Sequence, residues 1–207
     1  MKVLIINGSP HAKGTTHRAL LEAQRILNEE GIETETVHVG NLNVTGCKAC
    51  GTCKKLGKCV IDDGLNEVTK KFGEADGLIV GSPVYYASPN GTLIAFLDRL
   101  FHSSGFDKRD KVGAAVVVAR RGGCTASFDV LNKYFSISGM PIATGSYWNQ
   151  VHGAVAEDAE YDLEGLYTMR SLARNMAFLI KCIAIGKERF GLPEAEAAVK
   201  TNFINRS

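Results

Sequence analysis

Short apolar runs alternate along this chain with longer stretches of helical period. Val3–Ile6 is an unbroken apolar run, which predicts a strand covered on both faces. From Thr15 to Glu30, Ala19, Leu20, Ala23, Ile26 and Leu27 recur at spacings of three and four, predicting a helix that Gly31 stops. Ile32–Val39 alternates as a second strand should. Leu65–Ala75 suggests a helix, and Gly77–Gly81 a third strand. In Thr92–Phe101 the apolar positions Ile94, Leu97, Leu100 and Phe101 share one side of a helix. Val112–Ala119 is a fourth strand, Ser127–Ser138 a helix, Met140–Tyr147 a fifth strand, and Leu163–Ile185 a long final helix. Strand and helix alternating about five times imply an α/β fold, a doubly wound parallel sheet with helices on both faces.

Composition narrows the class. With 207 residues a single domain is expected, running over residues 1–185, with 186–207 a polar tail or arm. The 24 Lys+Arg against 22 Asp+Glu leave a net charge of +2, too balanced for a dedicated nucleic-acid binder or a polybasic membrane protein. Met1-Lys2 followed by four apolar residues is too short for a signal-peptide core, and no apolar run approaches the roughly 18 residues of a membrane span. A soluble, cytoplasmic protein is expected.

Four of the six cysteines, Cys47, Cys50, Cys53 and Cys59, crowd into a cysteine-rich insertion at 46–63. In a reducing compartment that points to metal or redox chemistry before a disulfide framework. Cys124 and Cys182 stand alone and read as small buried hydrophobes. His17, His38, His102 and His152 lack companions at metal-ligand spacing, and Asp98-Arg99 reads as an ion pair near a helix end.

In an open parallel sheet, ligands bind beyond the carboxyl ends of the strands. The loop after the first strand, Asn7 to Thr16, has two glycines, three hydroxyls, a lysine and a following helix. Such a loop suits one phosphate, and it equally suits an ordinary turn capped by Thr15. It is neither a Walker loop nor a Gly-x-Gly-x-x-Gly dinucleotide loop. After the third strand, Gly81 to Gly91 carries two prolines and adjacent tyrosines, a rigid flat surface for a planar ring or a turn packed on the next helix. After the fourth, Arg120-Arg121-Gly122-Gly123 permits close backbone approach beside fixed positive charge, or is solvated surface.

Taken jointly, these loops resemble the NADPH-dependent FMN reductase family of flavodoxin-like proteins. Gly8-Ser9-Pro10 through Gly14-Thr15-Thr16 is similar to that family's phosphate loop. Gly81-Ser82-Pro83-Val84-Tyr85-Tyr86 with Phe96-Leu97-Asp98-Arg99 is similar to its isoalloxazine loop and next helix. Arg120-Arg121-Gly122-Gly123 and Tyr147-Trp148-Asn149 also match. The resemblance implies a five-stranded flavodoxin-like fold binding FMN, with NAD(P)H or a redox protein as electron donor, in a homodimer or homotetramer. It places Ser9, His11, Gly14, Thr15 and Thr16 at the phosphate, with His11 standing where an arginine is expected. Pro83, Val84, Tyr85, Tyr86 and Ser88 would border one side of the ring, and Arg120, Gly122 and Gly123 the other. The flavin itself is then the reactive centre and no side chain is assigned a catalytic role. Tyr85, Tyr86 and Trp148 are candidate aromatic cover at a subunit interface.

The cysteine spacing, C-x2-C-x2-C-x5-C, is more compact than the paired ligands of structural zinc. It is closer to a ferredoxin run, although Cys59 is followed by Val60 rather than proline. It resembles the motif of iron–sulfur flavoproteins, which implies a [4Fe–4S] cluster relaying electrons from the flavin. Cys50-Gly51-Thr52-Cys53, Gly57-Lys58-Cys59 and Asp62-Asp63 also fit relatives that hold no cluster. Cluster, zinc, a redox-active thiol pair and no metal all stay open at this point. Lys48, Lys54, Lys55 and Lys58 interleave the thiols and favour thiolate. Three functions follow: an FMN-dependent oxidoreductase, an electron carrier between proteins, or a metal-stabilised binding module without flavin.

Overall fold

A computed structural model describes residues 1–197, 199 and 201. The strands are β1 (Lys2–Asn7), β2 (Glu33–His38), β3 (Gly77–Tyr85), β4 (Ser88–Pro89), β5 (Val112–Ala119) and β6 (Gln150–His152). The helices are α1 (Thr15–Glu29), α2 (Cys53–Leu56), α3 (Leu65–Glu74), α4 (Gly91–Ser103), α5 (Cys124–Ile137) and α6 (Leu163–Phe190), with a 3-10 turn at Ala156–Glu160. Five strands pair in parallel in the order β2-β1-β3-β5-β6, and β4 folds back antiparallel on the end of β3. That is the flavodoxin-like order, with its topological switch between β1 and β3.

The period-two alternation of a strand divides each central apolar run between two cores. Val3, Ile5, Ile79, Val112, Ala114 and Val116 face one side, under α1 and α6, with Leu20, Ile26, Leu172 and Met176 packed on them. Leu4, Ile6, Leu78, Val80, Ala115 and Val117 face the other, under α3, α4 and α5, with Phe72, Phe96, Leu100 and Phe135. Each fully buried Val, Leu, Ile, Met or Phe among them contributes about 1.5–3 kcal/mol. Both faces being dry explains why these strands read as continuous runs.

The fifth parallel strand is not where the sequence predicts it. Residues 140–147 make a single bridge, Gly113 with Ile142, and the paired strand is Gln150–His152. Pro141 interrupts the donors of the earlier segment, leaving its carbonyl to accept from Gly113 N at 2.8 Å. Asn149 then docks the chain on β5: its amide donates to Ala115 O at 3.1 Å and its backbone carbonyl accepts from Val117 N at 2.9 Å. Two helices also differ in extent. α5 starts at Cys124 rather than Ser127, and α6 runs on to Phe190, so the first residues of the expected tail are helical. Part of that tail lies outside the described residues.

α1 and α6 are joined through Glu22, a buried carboxylate. Arg18 and Arg25 of α1 reach it at 3.1 and 2.9 Å, and Arg170 of α6 at 3.0 Å. Burial alone would raise the Glu22 carboxyl, but hydrogen bonds from Arg25, Arg170 and Arg18 outweigh it and hold it down at about 2. A folded-state value below the unfolded 4.5 stabilises the protein above pH 4.5, and that contribution drains away between pH 4.5 and about 2. Glu22→Gln is therefore expected to lose about 1–3 kcal/mol at pH 7. Urea unfolding checks it: the gap from the native chain should narrow steadily below pH 4.5, and a gap independent of pH refutes it.

Candidate functional site

A cavity of about 740 Å³ opens beyond the carboxyl ends of β1, β3 and β5, at the switch point. Ser9 and His11–Thr16 form one wall, Pro83–Tyr85 and Val118–Arg120 the next, and Gly153–Glu157 the last. The first wall is a built loop. Ser9 N donates to Asn7 Oδ1 at 3.0 Å, His11 N donates to Ser9 Oγ at 3.1 Å, and Ser9 O lies 2.6 Å from His38 Nε2. Gly8 N donates to Gly81 O at 2.8 Å, which ties the loop to β3. Gly14, extended, precedes α1, whose first turn has no capping side chain and no acidic residue. The leading amides of a helix have no partner within it, so here they remain free to take an anion, helped by the positive end of the helix dipole. The hydroxyl residues Ser9, Thr15 and Thr16 are all buried beside them.

Thr16→Val keeps the volume of this seat and removes one hydroxyl. It is expected to weaken binding of a phosphate-bearing ligand by about 1–3 kcal/mol, read by fluorescence titration. Unchanged affinity would move the phosphate elsewhere.

The structure brings Ser9, His11, Gly14, Thr15, Thr16, Pro83, Val84, Tyr85 and Arg120 to this one cavity, and leaves Tyr86, Ser88, Gly122 and Gly123 off its wall. For Tyr86, Ser88 and Gly123 the reason is a hairpin. Tyr85 pairs with Ser88 across Tyr86 and Ala87, both at positive φ (49° and 60°), as a two-residue primed turn requires. That turn projects Tyr86 wholly into solvent. Gly123, at φ 92°, lies behind the hairpin: a Cβ there would sit 2.8 Å from Val84 Cγ1 and 2.9 Å from Ala87 Cα. Gly123 thus braces the wall instead of forming it. The Gly153–Glu157 wall carries no sequence signal; it arrives only because β6 pairs with β5.

A second cavity, about 260 Å³, is lined by all four clustered cysteines together with Arg99, His102 and Ser103. Asn66 pins Cys59 from both sides, accepting from Cys59 N at 3.0 Å and donating to Cys59 O at 2.9 Å. Arg99, on α4, pairs with Asp63 rather than with its neighbour Asp98, which instead accepts from the Tyr134 hydroxyl. Every cysteine is a free thiol. Cys50 is held below the ordinary thiol value by hydrogen bonding with the Thr52 side chain and backbone. The lone cysteines divide: Cys124 is buried, and burial raises its thiol, whereas Cys182 is exposed, contrary to its expected burial. Among the described residues no three His, Cys, Asp or Glu side chains already stand at metal-binding spacing. Four soft thiols around one cavity nevertheless suit an iron–sulfur cluster in donor type and in number.

A doubly wound sheet of this order, with an uncapped helix N-terminus and an open cavity at its switch point, defines a flavodoxin-like α/β protein. The NADPH-dependent FMN reductase family matches residues 1–154, and the chain belongs to that family, in its iron–sulfur flavoprotein branch. It is 37% identical over 191 residues to an iron–sulfur flavoprotein of Methanocaldococcus jannaschii, covering 88% of this chain and 99% of the relative. It is 32% identical over 193 residues to the iron–sulfur flavoprotein of Methanosarcina thermophila, covering 91% and 100%. Among solved structures, an NAD(P)H:quinone oxidoreductase from Methanothermobacter marburgensis superposes with a TM-score of 0.66 at 17% identity, over 85% of this chain and 96% of that one. A flavodoxin from the domain Archaea gives 0.58 at 15%, over 87% and 99%. At such identities the structures show shared fold alone. No helix among the described residues is long and apolar enough to cross a membrane.

Proposed function

We propose that this chain is an FMN-dependent oxidoreductase that draws electrons from NAD(P)H or a protein donor and relays them through a [4Fe–4S] cluster. The observation that carries the flavin reading is the capless N-terminus of α1, with its buried hydroxyls, opening onto a 740 Å³ cavity at the switch point. FMN, when bound, accepts electrons in pairs and releases them singly. The amides of Thr15 and Thr16, with the Ser9 and Thr16 hydroxyls, would hold its phosphate, and Lys13 would add charge from the rim. Pro83–Tyr85 and Arg120 would border its ring, and Gly153–Glu157, the remaining wall, would limit the access of water to the cavity. No side chain in this cavity is required to carry a proton for such chemistry.

Cys47, Cys50, Cys53 and Cys59 are the proposed cluster ligands, and a cluster there would supply one-electron transfer. Cys47 and Cys50 are exposed, which favours a protein as one exchange partner and keeps an electron-carrier role as the second reading. Tyr85 and Trp148, each more than 40% exposed, would be covered by a second copy of the chain, giving at least a dimer.

Protein purified without oxygen tests the assignment directly. Heat-released cofactor should have the mass of FMN, and metal analysis should find about four irons per chain. FAD, or no flavin after reconstitution, refutes the flavin site. Iron-free protein whose thiols oxidise in pairs refutes the cluster and leaves a flavin reductase.

A further inference from the structure

Arg99 is 1% exposed, and its guanidinium spans both ends of the cysteine segment. One terminal nitrogen donates to Thr45 O at 3.2 Å, before Cys47, and to Asp63. The other donates to Cys59 Sγ at 3.3 Å, Ile61 O at 3.1 Å and Asp63 Oδ1 at 3.0 Å. Its Nε is buried with no partner, and the side chain lines the thiol cavity. Arginine is suited to this position because its planar fork engages several acceptors at once, which a lysine ammonium at the end of a flexible stem cannot do. A charge buried in this way acts at low effective dielectric on whatever the cavity holds.

We propose that Arg99 is the positioning and charge-setting residue of the thiol cavity, fixing Cys59 through an N–H···S hydrogen bond and raising the reduction potential of a bound cluster. This rests on the four cysteines being cluster ligands. Four thiolates outweigh the positive charge of the cluster core, so the assembly is anionic, and more so once reduced. A fixed cation and a hydrogen bond to sulfur both stabilise the reduced form more than the oxidised one. Asp63 works against Arg99, offsetting part of its charge while holding it in place. The two residues of one ion pair should therefore move the potential in opposite directions.

The test uses the full chain, reconstituted anaerobically with ferrous iron and sulfide, as native protein, Arg99→Gln, Arg99→Lys and Asp63→Asn. Iron per chain is measured first. The cluster is then titrated with dithionite and redox mediators and followed by its visible and electron paramagnetic resonance signals. Arg99→Gln should lower the midpoint and Asp63→Asn should raise it, each changing the oxidised-to-reduced ratio at fixed poise about tenfold (about 59 mV for one electron). Arg99→Lys, which keeps the charge, should fall between the native chain and Arg99→Gln. Shifts of the same sign, or none at full iron content, overturn the proposal. Loss of iron from all three variants assigns the pair to loop closure and overturns it as well. Failure of the native chain to hold iron is a different result: it removes the cluster reading itself, and this role with it.

Discussion

Cys50→Ser should purify with less than one iron per chain while keeping its full complement of flavin. Iron–sulfur ligation needs soft thiolate donors, and a serine hydroxyl at neutral pH is neither soft nor ionised. Flavin should survive because nothing between residues 46 and 63 belongs to a strand or lines the larger cavity. Iron content by metal analysis and flavin by absorbance decide the matter in one preparation. An undiminished iron count in this variant would mean that Cys50 is not a ligand. Joint loss of iron and flavin would mean that the two cavities do not fold independently.

Gly40→Ala is expected to damage the proposed flavin site from a residue off the cavity wall. A Cβ at Gly40 would lie 2.0 Å from Ser9 O, 2.2 Å from Ser9 C and 2.6 Å from Gly8 C, all backbone atoms that cannot rotate away. The Asn7–Thr16 loop must shift as a body, breaking the 2.6 Å contact of Ser9 O with His38. Overpacking of this kind typically destabilises by about 1–3 kcal/mol, and displacement of the anion seat should lower FMN affinity at least about tenfold, or ~1.4 kcal/mol. Gly186→Ala, inside α6 with open space around it, is the control. It should leave FMN affinity unchanged and raise stability by about 0.5–1 kcal/mol. Native affinity in Gly40→Ala would show that the loop tolerates movement.

What could be read from the sequence depended on how many faces of an element are buried. Val3–Ile6 and Val112–Ala119 announce themselves because both faces are dry, and α1 because one stripe is. β6 was illegible for the opposite reason. It is a three-residue edge strand with one apolar side chain, Val151, and the more apolar Met140–Ala143 upstream draws the assignment away from it. Because nothing in the sequence marks β6, nothing in it brings the Gly153–Glu157 wall to the cavity either. The loops after β1, β3 and β5 were legible because glycine, proline and hydroxyl residues cluster there for backbone reasons. Which of their residues reach the cavity was not, since the Tyr86–Ala87 turn and the close approach of Gly123 are settled by packing. Arg99 suggested an ion pair with its neighbour Asp98. Its true partner is 36 positions away, a pairing that spacing cannot reveal.

The single helix α4 serves both cavities. Near its start Leu93 lies against Gly8 of the loop after β1, and six residues on, about 9 Å along the axis at 1.5 Å per residue, Arg99 grips the cysteine segment. In engineering terms the segment is a cassette with one hidden fastener. Replacing residues 46–63 by a short turn would spare every strand pairing, yet it would leave the Arg99 guanidinium with Thr45 O alone among its present acceptors, its Asp63 partner gone. Excision therefore has to take Arg99 along, for instance as Arg99→Leu, and a graft into another flavodoxin-like scaffold must bring an arginine at the matching turn of the recipient helix.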